Sequence, residues 1–491
     1  MKKESTISLI KSFNPMFWVA SAMELFERWA WYGLFAVLAL YLTGSTDEGG
    51  LGFTHTEKGQ IMGYVTAILY LLPLFTGVIA DKIGYKLSLI IAYLMLMSGY
   101  YLMGEVSSYT GVFMLFLYIA IGAAMFKPVA SAIVTKTTNS KNSTLGFGIF
   151  YMMVNIGGFI GPALASGLRE TGWNLVFLQA SIVIGINLLI VIFFFKEPNR
   201  EKNDKGFAET VTESLRNIFQ AISDKKLMVL LIIMIGFWTM FNQLFYTLPT
   251  FIEDWVDSSS VSQAISDFWP WLGNVVSGPD GQIKPEWFTN IDAGMIVLLQ
   301  IIVSSFVVKM RHVTAMIRGF LIAILGISLT FYFDNVIFTI VGVMIFAIGE
   351  MATNPTFSSF IAIISPKGKE ALYQGTYFLP IFAGNLLTTF VSGNLYQAWS
   401  DKLSLIQNHM SNKGIDMPEV AENFSKNEYF TLASEKLGIT ESQMTTMLWE
   451  DYSPNKIWSV IAGIGLVTVL ALYIYDLKVV KPREKDDQTK A

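Results

Sequence analysis

Three charged residues within five positions, Glu24, Glu27 and Arg28, fall inside an apolar run from about Phe17 to Leu42. That run is long enough to cross a bilayer. Each charge costs about 2.5–3.5 kcal/mol at the centre of a spanning helix, so such residues face a watery or protein-lined interior and pair with one another. Glu24 and Glu27 are three apart. Glu24 and Arg28 are four apart with the acid N-terminal, so one helix face carries all three. Tyr32 extends that face by a turn. Two acids, a fixed cation and a phenol at membrane depth have the chemistry to hold a proton and an anion.

The rest of the chain must position this cluster. Its 491 residues are 53% hydrophobic, 14% aromatic and 15% charged, whereas a soluble protein carries about a quarter charged residues. The composition predicts an all-α polytopic membrane protein. Twelve spans are expected, at roughly 15–42, 59–80, 86–105, 110–134, 145–168, 173–195, 227–252, 288–309, 314–333, 336–359, 371–397 and 457–476. With the N-terminus in the cytoplasm, most Lys and Arg fall on inner segments, so both ends are predicted inside a cytoplasmic (inner) membrane. The first fifteen residues show no cleavage site after an apolar core, and no removable signal peptide is expected. Cysteine is absent, which excludes disulfides and thiolate metal sites. His55, His312 and His409 are far apart, so no metal motif and no cofactor are expected. The net charge of -4 gives no reason to expect nucleic acid.

Two bundles are predicted, 1–196 and 227–491. The segment 197–226 is charged and then amphipathic from Phe207 to Ile222, which suits an interfacial helix linking them. The segment 253–286 holds Trp255, Trp269 and Trp271 and suits a headgroup-level loop. The polar, helix-prone insertion 398–456 should form an outward-facing cap, with a purpose the sequence does not disclose.

Further polar residues stand inside spans. Lys127 is the lone cation of the fourth, Asp292 an acid in the eighth and Glu350 an isolated acid in the tenth. The plain alternatives are a snorkelling lysine, a wet acid near the outer mouth and a structural carboxyl. Tyr64, Trp238 and Tyr377 are aromatic lining candidates, and Asn155, Asn242 and Asn354 could supply hydrogen bonds. Ordinary helix packing is the alternative for each aromatic.

Gly77-Val-Ile-Ala-Asp81-Lys82-Ile-Gly84-Tyr-Lys86 resembles the loop between helices two and three of the major facilitator superfamily, where it serves as an inner gate. Glu24-Leu-Phe-Glu27-Arg28-Trp29-Ala30-Trp31-Tyr32-Gly33 resembles the ExxER motif of the proton-dependent oligopeptide transporter (POT) family, with Trp31 in place of the first tyrosine of its usual pair. Tyr64 with Tyr70-Leu-Leu-Pro73, Phe126-Lys127-Pro128, Phe150-Tyr151-Met-Met-Val-Asn155-Ile-Gly157, Phe237-Trp238 with Asn242-Gln243, Trp287-Phe288-Thr289-Asn290-Ile291-Asp292, Gly349-Glu350-Met-Ala-Thr-Asn354-Pro355 and Gly384-Asn385-Leu386-Leu387 are similar to further family segments. Together they cover about residues 15–395.

The resemblance implies a major facilitator fold, with two six-helix bundles rocking around a central site. It implies proton-coupled import of di- or tripeptides. Glu24, Glu27, Arg28, Lys127 and Asp292 would handle the proton. Arg28 and Lys127 would take the peptide carboxylate, and Glu350 its amine, with Tyr32, Tyr64, Asn155, Trp238, Asn242, Asn354 and Tyr377 around them. The expected partners are short peptides, protons and the bilayer, and the expected state is a monomer. Two departures stand out. The family's helix-seven carboxylate is Asn242 here, while its helix-eight asparagine is Asp292. Both lie about sixteen residues from an inner end, ~24 Å of helix, so the carboxylate is expected to have moved between neighbouring helices. The family's bacterial members often add two helices between the halves, and 197–226 leaves no room for them. Another peptide-like or amino-acid-conjugate substrate, or a non-transporting peptide sensor, are the alternatives. No nucleophile–base pair or cofactor loop points to an enzyme.

Overall fold

A computed structural model describes residues 10–139, 142–197, 207–366, 370–421 and 423–482. Among these the regular structure is helical: α1 (Pro15–Thr43), α2 (His55–Leu71), α3 (Pro73–Ile83), α4 (Tyr85–Met103), α5 (Tyr109–Thr137), α6 (Ser143–Arg169), α7 (Trp173–Phe193), α8 (Phe207–Ile222), α9 (Lys225–Tyr246), α10 (Leu248–Trp255), α11 (Ser259–Phe268), α12 (Pro270–Val276), α13 (Pro285–Val307), α14 (His312–Tyr332), α15 (Val336–Ile364), α16 (Glu370–Gly375), α17 (Phe378–Thr389), α18 (Tyr396–Trp399), α19 (Lys402–Asn412), α20 (Lys426–Leu437), α21 (Glu441–Tyr452) and α22 (Ile457–Tyr475). Ten spans among the described residues are long and apolar enough to cross a membrane, and the bent pair α2–α3 makes eleven. The 29-residue α1 is long enough as well, but it carries Glu24, Glu27 and Arg28.

Breaks occur where the backbone chemistry calls for them. Pro73 sits at the start of α3, where a missing N–H costs nothing, and α2 and α3 meet at 53°. The expected span 227–252 stops at Tyr246 and restarts at Leu248, with Pro249 in the first turn of α10. The expected span 371–397 is α16, then α17, then a π-helical stretch Phe390–Leu395 running into α18. Pro380 in the first turn of α17 favours a new start there. The expected interfacial helix is α8, and residues 198–206 of the linker lie outside the described residues.

The chain divides into two compact units, Met1–Phe35 with Ile68–Phe219 and Ala36–Ala67 with Gln220–Ala491. The division falls inside α1 and α2. In the first unit α4 packs on α5 and α7, around buried Tyr93, Leu96, Tyr100, Phe116 and Phe126. In the second, α15 packs on α13 and α14, while α9 packs on α17 and α22. The insertion 398–456 is a three-helix cap, α19–α21, whose core is Leu405, Ile406, Met410, Ala433, Met444 and Leu448. Two capping boxes start its last two helices, Ser425 with Glu428 and Thr440 with Gln443.

Candidate functional site

In the first unit, Glu24, Glu27 and Arg28 are 7%, 0% and 5% exposed. The Arg28 guanidinium lies against Glu27, with Nε donating to Oε2 at 2.5 Å, and 3.5 Å from the Glu24 carboxylate. One cation thus holds both acids, and its other face lies 5.7 Å from the Tyr32 ring. The cluster is positioned by close backbone approach. A Cβ at Gly157 would collide with the Leu25 carbonyl and the Arg28 side chain, so only glycine lets α6 come this near to α1. From α7, Asn187 donates to the Met23 carbonyl at 2.9 Å.

Lys127 on α5 makes no ion pair among the described residues. Its ammonium sits 4.8 Å from the Tyr70 ring centre, within the electrostatic reach of Arg28, Glu27 and Glu24. Asn155 turns back on its own helix and donates to the Tyr151 carbonyl at 2.9 Å.

The gate-loop residues also lie in this unit. Gly77 packs near Pro128, and Asp81 accepts from the Tyr85 hydroxyl at 3.3 Å. Lys82 is exposed. Gly84 turns the chain at φ 98, a left-handed conformation that glycine adopts freely. Glu197, not singled out in the sequence, caps the next helix. Its two carboxylate oxygens accept from the Tyr85 and Lys86 amides, both at 2.7 Å.

The second unit holds the other candidates. Trp238 is 6% exposed, with its indole N–H unpartnered among the described residues. It meets Tyr377 edge-on at 6.4 Å. Tyr377 donates to Asn354 Oδ1 at 2.6 Å, and Asn354 lies one helical turn after Glu350. Asp292 and Glu350, 4% and 8% exposed, lie within electrostatic reach of each other. Asn242 instead donates to the Thr388 hydroxyl at 3.3 Å. The helix-seven and helix-eight positions therefore take different partners. Tyr64 is 41% exposed on the part of α2 that belongs to this unit.

A second charged cluster had no signal in the sequence, because its histidine and two acids are about 150 to 350 positions apart. His55, Asp254 and Asp401 present ligand-type atoms within 4.8 Å of one another. His55 Nε2 is 3.5 Å from Asp401, and the Tyr396 hydroxyl donates to Asp254 at 3.1 Å. The spacing would suit a metal ion, but the cation present is a side chain: Lys426 of the cap is 3.6 Å from Asp254. Burial opposes the Lys426 charge, yet Asp254, Asp401 and Glu253 outweigh it and hold its pKa above the usual lysine value. Lys58, fully buried, donates to the Tyr246 carbonyl at 2.9 Å and faces the Tyr396 ring. Beside it, the Asn427 amide donates to Ser45 and its side chain to Asp47, both at 3.2 Å. The cap is thereby tied to the end of α1, the start of α2, α10 and α18.

The helical architecture, the buried ionic cluster of α1 and the glycine-turned loop after α3 define a membrane transporter of the major facilitator type. The chain belongs to the Major Facilitator Superfamily, whose family model matches residues 20–273. It is 29% identical over 200 residues to dipeptide and tripeptide permease A of Escherichia coli (strain K12), covering 40% of this chain and 39% of the permease. It is also 29% identical over 186 residues to an uncharacterized transporter of Bacillus subtilis (strain 168), covering 37% and 36%. These matches span less than half the length of those relatives. In fold the chain resembles a POT family transporter solved in complex with 5-aminolevulinic acid, with a TM-score of 0.69 at 17% identity over 94% of this chain and 96% of that one.

Proposed function

We propose that this protein is a proton-coupled symporter of the POT type that imports di- and tripeptides by alternating access. One observation carries the reading: two buried acids share a single arginine in a spanning helix, while Lys127 is held close by over an aromatic ring instead of in an ion pair. Protonating Glu24 or Glu27 loosens their hold on Arg28, which then joins Lys127 in taking the peptide carboxylate. Proton and substrate then favour each other's binding, as linkage requires for coupled transport. Glu350, supported by Asn354, receives the amine, and Tyr32, Tyr64, Asn155, Trp238, Asn242 and Tyr377 provide adaptable walls. Residues 1–196 and 227–491 act as the two rocking halves, with 197–226 as their cytoplasmic link. The protein works as a monomer in a cytoplasmic membrane, with both termini inside, and uses neither cofactor nor nucleic acid.

Counterflow tests this reading. Proteoliposomes loaded with unlabelled dialanine should exchange it for labelled dialanine added outside. A peptide sensor would exchange nothing, and an absence of exchange over a broad panel of di- and tripeptides would refute peptide transport. A second reading, a smaller zwitterion with one amine and one carboxylate, is favoured by the fold relative solved with 5-aminolevulinic acid. Exchange of that compound but not of peptides would establish it.

A further inference from the structure

In chain order the outer end of α1 and the start of α2 belong to residues 1–196, the first rocking half. In space they pack with residues of the second half, inside one compact unit. The seam is close. A Cβ at Gly59 would collide with Gly393 and the Thr389 carbonyl, and a Cβ at Gly63 with the Thr389 side chain, so glycine lets α2 lie against α17 and the stretch after it. Polar contacts cross the same seam: Lys58 donates to the Tyr246 carbonyl at 2.9 Å, and the Thr56 amide to Gln397 at 3.3 Å.

The cap is part of the second half. It is continuous in chain with α18 and α22. The Trp255 indole donates to its Ser400 carbonyl at 2.8 Å, and its Trp449 packs against Phe251 and Trp255. It nevertheless reaches the first half at two places. Asp401, the residue that caps α19, lies 3.5 Å from His55 at the start of α2. At the start of α20, two consecutive residues bond to different halves. Lys426 is 3.6 Å from Asp254 of α10, whereas Asn427 donates from its backbone to Ser45 and from its side chain to Asp47, both at 3.2 Å, in the turn after α1. The Ser45 hydroxyl donates in turn to Asp47. The capping box of Ser425 and Glu428 fixes the backbone that carries both grips.

We propose that the cap is a strap across the outer mouth: anchored on the second half, it holds the first half closed through Asn427 and Asp401, and outward opening requires its release. This rests on the alternating-access reading above. Rocking that opens the outer mouth parts α2 from α17, and the same movement carries Ser45, Asp47 and His55 away from the cap. The grips are hydrogen bonds and an ion pair, so they can be broken and remade in every cycle. Because they form only in the closed arrangement, they shift the resting population toward it. They touch neither the ionic cluster of α1 nor the residues proposed to hold substrate, so the strap sets how often the mouth opens and leaves the site itself unchanged.

The chain has no cysteine, so single introduced thiols read the strap cleanly and without substrate. Thr389, 4% exposed, faces Gly63, about eight residues or ~12 Å into α2. A cysteine placed by Thr389→Cys is therefore a reporter behind the seam. In right-side-out vesicles, a membrane-impermeant thiol reagent should label it about tenfold faster once Asn427→Ala, or Ser45→Ala with Asp47→Ala, removes the hook from either side, the weight of one hydrogen bond to a charged group. If one of these variants fails to fold, the other still reads the strap. A second reporter, Ala433→Cys in the cap core, should label no faster in the same backgrounds. Unchanged labelling at the Thr389 position, or equally accelerated labelling of the cap core, overturns the proposal. In the opposite sense, joining Asp47→Cys to Asn427→Cys with a short bifunctional methanethiosulfonate should stop dialanine counterflow, and dithiothreitol should restore it. Undiminished counterflow by the fully cross-linked protein overturns the strap while peptide transport stands. If dialanine, other short peptides and 5-aminolevulinic acid are exchanged by none of the proteins while both reporters behave as predicted, the transport reading fails and the strap survives.

Discussion

Removing the Asp254 charge should loosen the cap through Lys426. Asp254 is 5% exposed at its side chain and Lys426 18%, with 3.6 Å between the charges. Breaking a buried pair from one side costs about 3–5 kcal/mol, because the remaining charge is left uncompensated. Lys426 keeps some solvent contact and Asp401 remains within electrostatic reach, so Asp254→Asn should cost roughly 2–3 kcal/mol, below that range. Lys426→Met should cost no more than that, since Asp254 keeps the Tyr396 hydroxyl and lies within electrostatic reach of Lys58 and Lys402. The double variant removes both charges together and should cost far less than the sum. A coupling of at least about 1.5 kcal/mol is expected, within the range measured for contacting residues. Denaturant unfolding in detergent, read by tryptophan fluorescence, is a suitable assay, because Trp255 and Trp449 lie 5.9 Å apart beside this pair. Additivity within about 0.5 kcal/mol would refute the reasoning, since uncoupled sites behave that way.

Three further outcomes are expected. Glu197→Gln should weaken the cap at Tyr85 and Lys86 by about 1–2 kcal/mol, seen as faster amide exchange over residues 85–88, and unchanged exchange would contradict the capping role. Gly157→Ala should force α6 away from α1 and destabilise by about 1–3 kcal/mol, lowering the thermal midpoint and dialanine affinity together; an unshifted midpoint would mean the contact can relax. Burial raises the Asp47 carboxyl, but hydrogen bonds from Ser45 and Asn427 outweigh that and hold its pKa below the usual aspartate value. A lowered folded-state pKa stabilises above the unfolded value and is lost as pH falls through the folded one. Protection of the Asn427 side-chain amide, which donates to Asp47, should therefore hold at about pH 6 and drop below about pH 4, and protection independent of pH would contradict the Asp47 contact.

The spans were legible because crossing a bilayer takes an unbroken apolar run of about twenty residues, and few soluble helices carry one. The ionic residues of α1 were legible through their three- and four-residue spacing. The break between α2 and α3 was marked by Pro73, and the cap's last two helices by Ser425…Glu428 and Thr440…Gln443, patterns plain in the sequence once the helices are known. The proximity of Asp292 to Glu350 was not legible, because it depends on which faces of α13 and α15 meet. Nor was the junction that Lys426 joins, since His55, Asp254 and Asp401 lie about 150 to 350 positions apart. Sequence order groups the whole of the first two spans with one half. The compact unit nevertheless takes Ala36–Ala67 with the C-terminal part, where Lys58 bonds to Tyr246, His55 meets Asp401 and the Thr56 amide donates to Gln397 at 3.3 Å.

The central claim is coupling through the helix-one cluster. Its most direct test is uptake of labelled dialanine into proteoliposomes, with and without an inwardly directed proton gradient, for wild type and Glu24→Gln. The account predicts gradient-driven accumulation by wild type, and a variant that loses accumulation while keeping counterflow. Accumulation by Glu24→Gln equal to wild type, or wild-type counterflow that never becomes accumulation under the gradient, would contradict it.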